Sequence, residues 1–141
     1  MVKAEKLFKL TKLYYKYASD VRPFYDQTFS DNYGEWKITD IWNYALENSD
    51  LNNFNVEELA KIAFEPSPNE DAEDQPGSPS YVERANKSDL SYPILVVRYS
   101  DGDFIADGNH RLWKARALGM GTIKGYMLTE DELHKIPKVQ P

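Results

Sequence analysis

A short apolar run, a turn and a new helix meet at residues 107–111, and this junction constrains the fold more than any other part of the chain. The apolar run is residues 104–106, and a helical pattern follows from Leu112 to Leu118, before Gly119. The first backbone N–H groups of a helix have no intrahelical partner and carry the positive end of the helix dipole. The pattern therefore predicts a strand–turn–helix junction that can bind an anion.

The side chains of this 107–111 turn favour a phosphorylated ligand. The turn consists of Asp107, Gly108, Asn109, His110 and Arg111. Gly108 can take a turn closed to other residues and lets a phosphate come close, while Arg111 offers a planar fork of donors for phosphate oxygens. His110 can donate to the same anion or move a proton near neutral pH. Lys114, on an adjoining helix face, is within reach of the ligand. We predict a nucleotide site.

Each of these residues also has a structural interpretation. Gly108 could simply end the strand, Arg111 could form a surface ion pair, and His110 could cap the helix or fill a polar pocket. Asp107 could bind Mg²⁺ beside the phosphates, orient His110 or cap the helix, which is the commonest role of Asp at such a position. Lys114 could be solvated. The joint placement of Gly108 and Arg111 at one strand–helix turn favours the binding interpretation.

The region around the turn resembles the ParB/sulfiredoxin superfamily. The resemblance rests on residues 89–97, on the 107–111 turn, and on Lys114, Ala115 and Gly119, and it covers roughly residues 81–133. Members share a Gly-x-x-Arg or Gly-x-His-Arg signature at a strand-to-helix junction, where it holds nucleotide phosphates. They include CTP-hydrolysing partition proteins, ATP-dependent sulfinic acid reductases, free-serine kinases and reported nucleases. The resemblance implies the fold and a site for Mg²⁺ with ATP, ADP or CTP, and leaves the reaction open.

The departures from the family pattern limit the reaction. Asn109 stands where the partition proteins usually carry Glu and the reductases carry Cys. Because the chain has no Cys, sulfinic acid reduction by the family route is excluded, and the loss of Glu weakens the case for CTP hydrolysis. Phosphoryl transfer also needs a base or metal carboxylate outside the phosphate cradle. Glu83 is the first candidate, since an upstream Glu is the base in the free-serine kinases, and Asp89 and Asp103 are poorer ones.

Composition excludes several functional classes. No apolar run approaches the roughly 18 residues of a membrane span, and the first residues lack the pattern of a signal peptide, so we expect a cytoplasmic protein. His110 and His134 lack metal-ligand spacing, so neither zinc nor haem is expected. The net charge is −6, with 8 Lys/Arg and 15 Asp/Glu in residues 1–80 but 9 and 8 in residues 81–141. Without a basic stripe, direct nonspecific DNA binding is not expected.

Three segments are expected along the chain, within one compact domain. Residues 1–64 read as helical, with apolar spacing from Leu7 to Tyr17, over residues 38–46, and from Asn55 to Ala63, whereas residues 24–36 read as an ordered loop. Thr39 or Asp40 can cap the second helix, and Asn55 with Glu58 has capping-box spacing for the third. Residues 65–80 contain five acidic residues, four prolines and no Lys or Arg. They read as a mobile acidic loop, with a lid or a partner-binding segment as the alternative.

Residues 81–141 form the nucleotide-binding region, and their apolar pattern is that of strands. Residues 94–97 predict a buried strand, Asp101 and Gly102 the centre of a hairpin turn, and residues 104–106 the antiparallel return. Residues 122–128 predict a further strand. Thr129 and Glu132 have capping-box spacing at the start of a terminal helix that stops near Pro137. We therefore predict an α+β fold, a small mixed β-sheet with flanking helices, preceded by a helical N-terminal segment.

Two functional hypotheses follow from the sequence. In the first, a ParB/sulfiredoxin-like protein holds a nucleoside triphosphate or diphosphate at the 107–111 turn, and kinase, NTPase or nuclease activity is left open. In the second, a noncatalytic interaction or inhibitor protein uses the fold as a scaffold. Its acidic N-terminal half would then be the partner surface, and Asn109 and the unidentified base favour this hypothesis.

Overall fold

The computed structural model describes residues 27–64 and 78–139. In chain order the elements are β1 (Thr28–Asp31), β2 (Gly34–Lys37), α1 (Ile38–Asn48), β3 (Asn52–Asn55), α2 (Val56–Ala63), α3 (Pro79–Lys87), β4 (Ile94–Tyr99), β5 (Gly102–Asp107), α4 (Asn109–Ala117), β6 (Thr122–Thr129) and α5 (Glu130–His134). Within these two ranges, no helix has the length and apolar character that a membrane span requires. The predicted N-terminal helix and the acidic residues of the 65–80 loop lie outside the described residues.

The main sheet has four strands in the order β3-β6-β4-β5. β4 and β6 are parallel, whereas β3 pairs with β6 and β4 with β5 in antiparallel fashion. The sheet is therefore mixed, and the predicted α+β class with flanking helices is confirmed. β5 is an edge strand, so the 107–111 turn leaves the sheet at its edge, as expected. β1 and β2 form a separate antiparallel hairpin.

Two apolar cores cover the two faces of the main sheet. On one face the hairpin, α1 and α5 pack against β4 and β6, as in the cluster of Trp36, Ile41, Trp42, Leu95, Val97, Leu128 and Leu133. On the other face α2 and α4 pack, as in the cluster of Val56, Leu59, Leu112, Ile94, Val96 and Ile123. Successive residues of β4 therefore enter opposite cores, which is why residues 94–97 form a continuous apolar run.

The loop expected over residues 24–36 is wrong for its described part, which is the β1–β2 hairpin. The Asp31 Oδ1 atom accepts hydrogen bonds from the backbone N–H of Tyr33 at 2.7 Å and of Gly34 at 3.1 Å, and this side chain closes the turn. Phe29 lies opposite Trp36, whose side chain is fully buried in the core. Phe29 and Trp36 therefore hold two strands of otherwise mostly polar sequence against the core.

The helix-capping predictions are mostly confirmed. The Asn55 side chain accepts from the backbone N–H of Glu58 at 3.0 Å, and Thr129 with Glu132 makes both bonds of a capping box. Gly119, with φ of 73°, ends α4. The cap expected from Thr39 or Asp40 is wrong, because α1 already begins at Ile38 and has no side-chain cap.

Two boundaries in the second half differ from those expected. The turn of the β4–β5 hairpin consists of Ser100 and Asp101, because Gly102 already pairs with Tyr99 as the first residue of β5. Pro79 and residue 80, assigned to the acidic loop from the sequence, lie in the first turn of α3. The Ser78 side chain caps that helix by accepting from the N–H of Tyr81 at 3.3 Å.

Candidate functional site

Asp107 ends β5 with its carboxylate inside the protein. The β4–β5 register shifts so that Asp107, rather than Ala106, lies opposite Leu95. Such a bulge bends the strand and re-aims a side chain. The Asp107 Oδ2 atom accepts a hydrogen bond from the indole Nε1 of Trp42 at 2.7 Å, and the residue is only 6% exposed. Asp107 therefore ties the turn to α1, and the N-cap position of α4 is Gly108.

Gly108 is required by the turn itself. Its φ is 110°, a left-handed conformation that side chains rarely allow. A Cβ atom would lie 2.6 Å from Cγ2 of Ile94 and 3.0 Å from Nη2 of Arg111. The space beside the Gly108 Cα is therefore filled by the protein, and the fold alone accounts for the glycine.

Arg111 lies in the interior rather than on the surface. Its side chain is 8% exposed, and its Nη2 lies 4.0 Å from Oδ2 of Asp107. The same nitrogen donates to the carbonyl of Pro93 at 3.1 Å. The interpretation as a surface ion pair is wrong, because the guanidinium joins α4 to the start of β4 and brings a positive charge behind the turn.

The first turn of α4 follows a glycine at the N-cap position. The first bond within the helix runs from the N–H of Leu112 to the carbonyl of Gly108 at 2.9 Å. The N–H groups of residues 109–111 precede that bond and so lie outside the intrahelical hydrogen bonds, and the N-cap residue Gly108 has no side chain to cap the helix. Asn109 is exposed at the start of the helix. A glycine turn that leads into a helix N-terminus is an arrangement typical of anion sites.

His110 packs against an aromatic cluster on its own helix and on the elements beside it. Its imidazole centroid is 4.4 Å from the centroid of the Tyr81 ring, and the planes are tilted by 34°. Trp113 meets Tyr81 and Phe64 edge-on, at 5.5 and 5.0 Å between centroids. α3 therefore forms one wall beside the first turn of α4.

Lys114 and Asp89 lie near Arg111. The Lys114 Nζ donates to the carbonyls of Asn86 at 3.1 Å and Ser88 at 2.7 Å, at the C-terminal end of α3, where a cation is favoured. Hydrogen bonds from Ser91 lower the pKa of Asp89 against an opposing effect of burial, and the charges of Lys114 and Arg111 lower it further. The structure therefore assembles Asp89, Arg111 and Lys114 into one charged group.

The structure does not bring Glu83 or Asp103 to the turn. Glu83 has a side chain 68% exposed and pairs with Lys87 at 3.1 Å. Since residues two apart on a helix point about 200° apart, Glu83 faces away from the side of α3 where Tyr81 meets His110. Asp103 forms two hydrogen bonds with Arg98, at 2.8 and 2.9 Å, at the far end of the β4–β5 hairpin. Asp89, a poorer candidate from the sequence, is the nearer carboxylate.

Within the part of the chain that the structure describes, no metal centre marks the turn. Over the described ranges, no three or more His, Cys, Asp or Glu side chains are placed to hold a metal ion. Mg²⁺ bound mainly through nucleotide phosphates needs only one or two protein carboxylates. A cleft of about 410 Å³ lies elsewhere, lined by Asn53, Phe54, Asn55, Glu58, Leu59, Ile62, Arg98, Gly102 and Asp103. None of the turn residues lines it.

A second polar cluster was not expected from the sequence. Asp31 Oδ2 accepts from the Tyr99 hydroxyl at 2.8 Å and lies 3.2 Å from Nε2 of His134, whose ring stacks on Trp36. Burial raises the pKa of the Asp31 carboxyl, but bonds from the Tyr33 backbone, His134 and Tyr99 outweigh it and leave the pKa below its ordinary value. The residues of this second cluster lie far apart in the sequence, and no local motif links them.

The fold and this site define an α+β protein with a glycine turn that leads into a helix N-terminus at the sheet edge. Comparison of the chain with protein-family models, curated proteins and solved structures gives no significant match. The interpretation of the site therefore depends on its own geometry and on the sequence resemblance.

Proposed function

We propose that this chain is a nucleotide-binding protein of the ParB/sulfiredoxin type. A nucleoside diphosphate or triphosphate, with Mg²⁺, binds through its phosphates to the first turn of α4. The observation that carries the proposal is the N-terminus of α4, which follows a left-handed glycine at the end of an edge strand. A cytoplasmic location, expected from the sequence, is part of the same proposal.

The charge of the helices around the turn supports binding of an anion. α3 and α4 together hold five Lys/Arg and one Glu, a net charge of +4, whereas the whole chain has a net charge of −6. The basic residues are Arg84, Lys87, Arg111, Lys114 and Arg116. A local excess of positive charge raises the concentration of an anionic ligand at that surface.

The turn residues have separate roles in this proposal. The backbone N–H groups of residues 109–111 hold the phosphate, and Asn109 and His110 contact it from the rim. Arg111 supplies charge from behind, while Asp107 fixes the turn through Trp42. Lys114 adds positive charge at the end of α3.

The proposal concerns binding rather than a reaction. His110 is the candidate for proton transfer that lies at the turn, and Asp89 is a carboxylate whose ionised form the charges of Lys114 and Arg111 favour. The structure does not support Glu83 as the base, because its side chain pairs with Lys87 on the exposed face of α3 rather than with the turn. Turnover of a bound nucleotide would separate an enzyme from a nucleotide sensor.

The first test is calorimetric titration with ATP, ADP, CTP and GTP, each with Mg²⁺, on the wild type and on Asn109→Lys. A cation in the first turn opposes the helix dipole and should lower the free energy of unfolding by about 0.3–1 kcal/mol. The same cation attracts a phosphate, so the affinity should rise several-fold, with a steeper dependence on salt. Stability and affinity therefore move in opposite directions.

Asn43→Lys is the matched control, because Asn43 is exposed on α1, which packs on the opposite face of the main sheet from α4. It makes the same charge change and should leave the affinity unchanged. Equal affinities for the two variants would contradict binding at the first turn of α4.

The second candidate function is a noncatalytic interaction protein that keeps the fold as a scaffold. One observation favours it: Gly108 and Arg111 are both explained by packing against Ile94 and bonding to Pro93, without a ligand. The acidic N-terminal half would be its partner surface, and residues 1–26 of that half lie outside the described residues. Wild-type protein that binds none of the four nucleotides would favour this function.

A further inference from the structure

The phenol of Tyr81 is a buried polar group that the fold itself does not satisfy. Tyr81 is 4% exposed, and among the described residues its hydroxyl has no hydrogen-bond partner. A buried hydroxyl without a partner costs folding free energy, and native proteins keep few such groups. Phenylalanine would fill the same space without that cost, so the hydroxyl needs an explanation.

The position of Tyr81 supplies one. Its ring lies against the imidazole of His110, the second residue of α4, with 4.4 Å between centroids. The Tyr81 ring therefore lies against a side chain of the first turn of α4. Burial raises the pKa of Tyr81 well above its ordinary value, so the hydroxyl keeps its proton and can act as a donor at neutral pH.

We propose that the Tyr81 hydroxyl donates a hydrogen bond to a phosphate oxygen of the nucleotide held at the first turn of α4. This inference rests on the proposed function and adds to it a ligand-binding residue from α3. The hydroxyl that is unsatisfied in the free protein becomes satisfied in the complex. Because the phenol oxygen is covered in the free protein, binding requires side chains around it to change rotamer, a change of the kind common when partners bind.

Tyr81→Phe tests the proposal, because it removes the hydroxyl and keeps the ring. Its affinity is measured by calorimetry with the nucleotide, among ATP, ADP, CTP and GTP with Mg²⁺, that the wild type binds most tightly. Its stability is measured by urea unfolding. We expect stability equal to or above that of the wild type and an affinity lower by on the order of ten- to a hundredfold, the effect of losing a hydrogen bond to a charged group.

Tyr99→Phe is the matched control. The Tyr99 hydroxyl donates to Asp31 Oδ2 at 2.8 Å, at the opposite end of β4 from the turn. Its removal should lower stability, because a satisfied bond is lost, and should leave nucleotide affinity unchanged.

Two results would overturn the inference while leaving the proposed function intact. The first is a wild type that binds nucleotide and a Tyr81→Phe variant of equal affinity. The second is a Tyr81→Phe variant destabilised as much as Tyr99→Phe, since its hydroxyl would then have a partner in the free protein. A wild type that binds no nucleotide is a different result, because it refutes the proposed function and this inference with it.

Discussion

Arg111 illustrates how the structure changes the meaning of a residue singled out from sequence. Its position beside a glycine turn predicts a ligand contact, yet its guanidinium is buried and bonded to the carbonyl of Pro93. The sequence could predict the location of the residue at the start of a helix. It could not predict the burial, because Trp42, Asp107 and Pro93 meet only through the register of β4 and β5.

Arg111→Ala should therefore lower the free energy of unfolding by roughly 3 kcal/mol. The free-energy cost of leaving a buried polar group unsatisfied and the cost of breaking a buried ion pair have ranges that meet near that value. Arg111→Lys should recover part of the loss, because an ammonium keeps the charge but lacks the fork. The measurement is urea unfolding, with the exposed Arg116→Ala as control, which should stay within about 0.5 kcal/mol of the wild type. An Arg111→Ala variant as stable as that control would show that the guanidinium has no structural role.

Three glycines near α4 form a graded test of the turn geometry. Gly108 has a φ of 110°, and a Cβ there would clash with Ile94. Gly119 has a φ of 73°, but a Cβ there would meet open space. Gly121 has neither a positive φ nor a close neighbour. Gly121→Ala should be nearly neutral, and Gly119→Ala should cost about 1–2 kcal/mol for the left-handed backbone. Gly108→Ala should cost more than both. Urea unfolding of the three variants checks this order, and a Gly108→Ala variant no less stable than Gly119→Ala would contradict the packing against Ile94.

At the scale of elements, the β1–β2 hairpin is attached to the sheet and to α5 through Asp31. Its carboxylate accepts from the turn backbone and from Tyr99, and lies beside His134. The pKa of Asp31 is below its ordinary value because these bonds outweigh the effect of burial. The hairpin is therefore held by a group whose ionised form the fold stabilises.

This attachment predicts a stability change in acid. The pKa of Asp31 in the folded protein lies below its unfolded value of about 3.9. The contribution of this carboxylate to the free energy of unfolding is therefore fully present above about pH 3.9 and is lost as pH falls through the folded pKa. The free energy of unfolding of the wild type should fall more steeply below about pH 4 than that of Asp31→Asn. Denaturant unfolding over a pH series measures both slopes, with the exposed Asp50→Asn as control. Parallel slopes for wild type and Asp31→Asn would show that the folded state does not favour the carboxylate.

The elements found from the sequence are those with a strong local pattern. The run over residues 94–97 predicts β4 because its residues enter both cores, and Thr129 with Glu132 predicts α5 through its capping box. β3 was missed because it is a four-residue, mostly Asn strand in which only Phe54 enters a core. α3 was missed because Pro79 was read as a loop residue, although proline is favoured in the first turn of a helix.

At the scale of the whole molecule, the fold concentrates positive charge beside the glycine turn. The charge balance of the two halves of the sequence does not show this concentration. The sequence places the acidity in residues 1–80 and leaves residues 81–141 almost neutral. The fold then brings α3 and α4 together beside the glycine turn, and this pair alone has a net charge of +4. The concentration of positive charge depends on the contact between the two helices, which the charge count along the chain cannot reveal.

The central claim is that nucleotide phosphates bind the backbone N–H groups at the start of α4. The most direct measurement follows the amide resonances of the ¹⁵N-labelled protein by NMR during titration with ATP and Mg²⁺, and with CTP and Mg²⁺. A phosphate accepting from these groups should move the resonances of residues 109–111 furthest and saturably, while those of Asn53 and Asn55, beside the separate cleft, stay in place. Saturable shifts centred on that cleft, or no saturable shifts at residues 109–111 with either nucleotide, would contradict the claim.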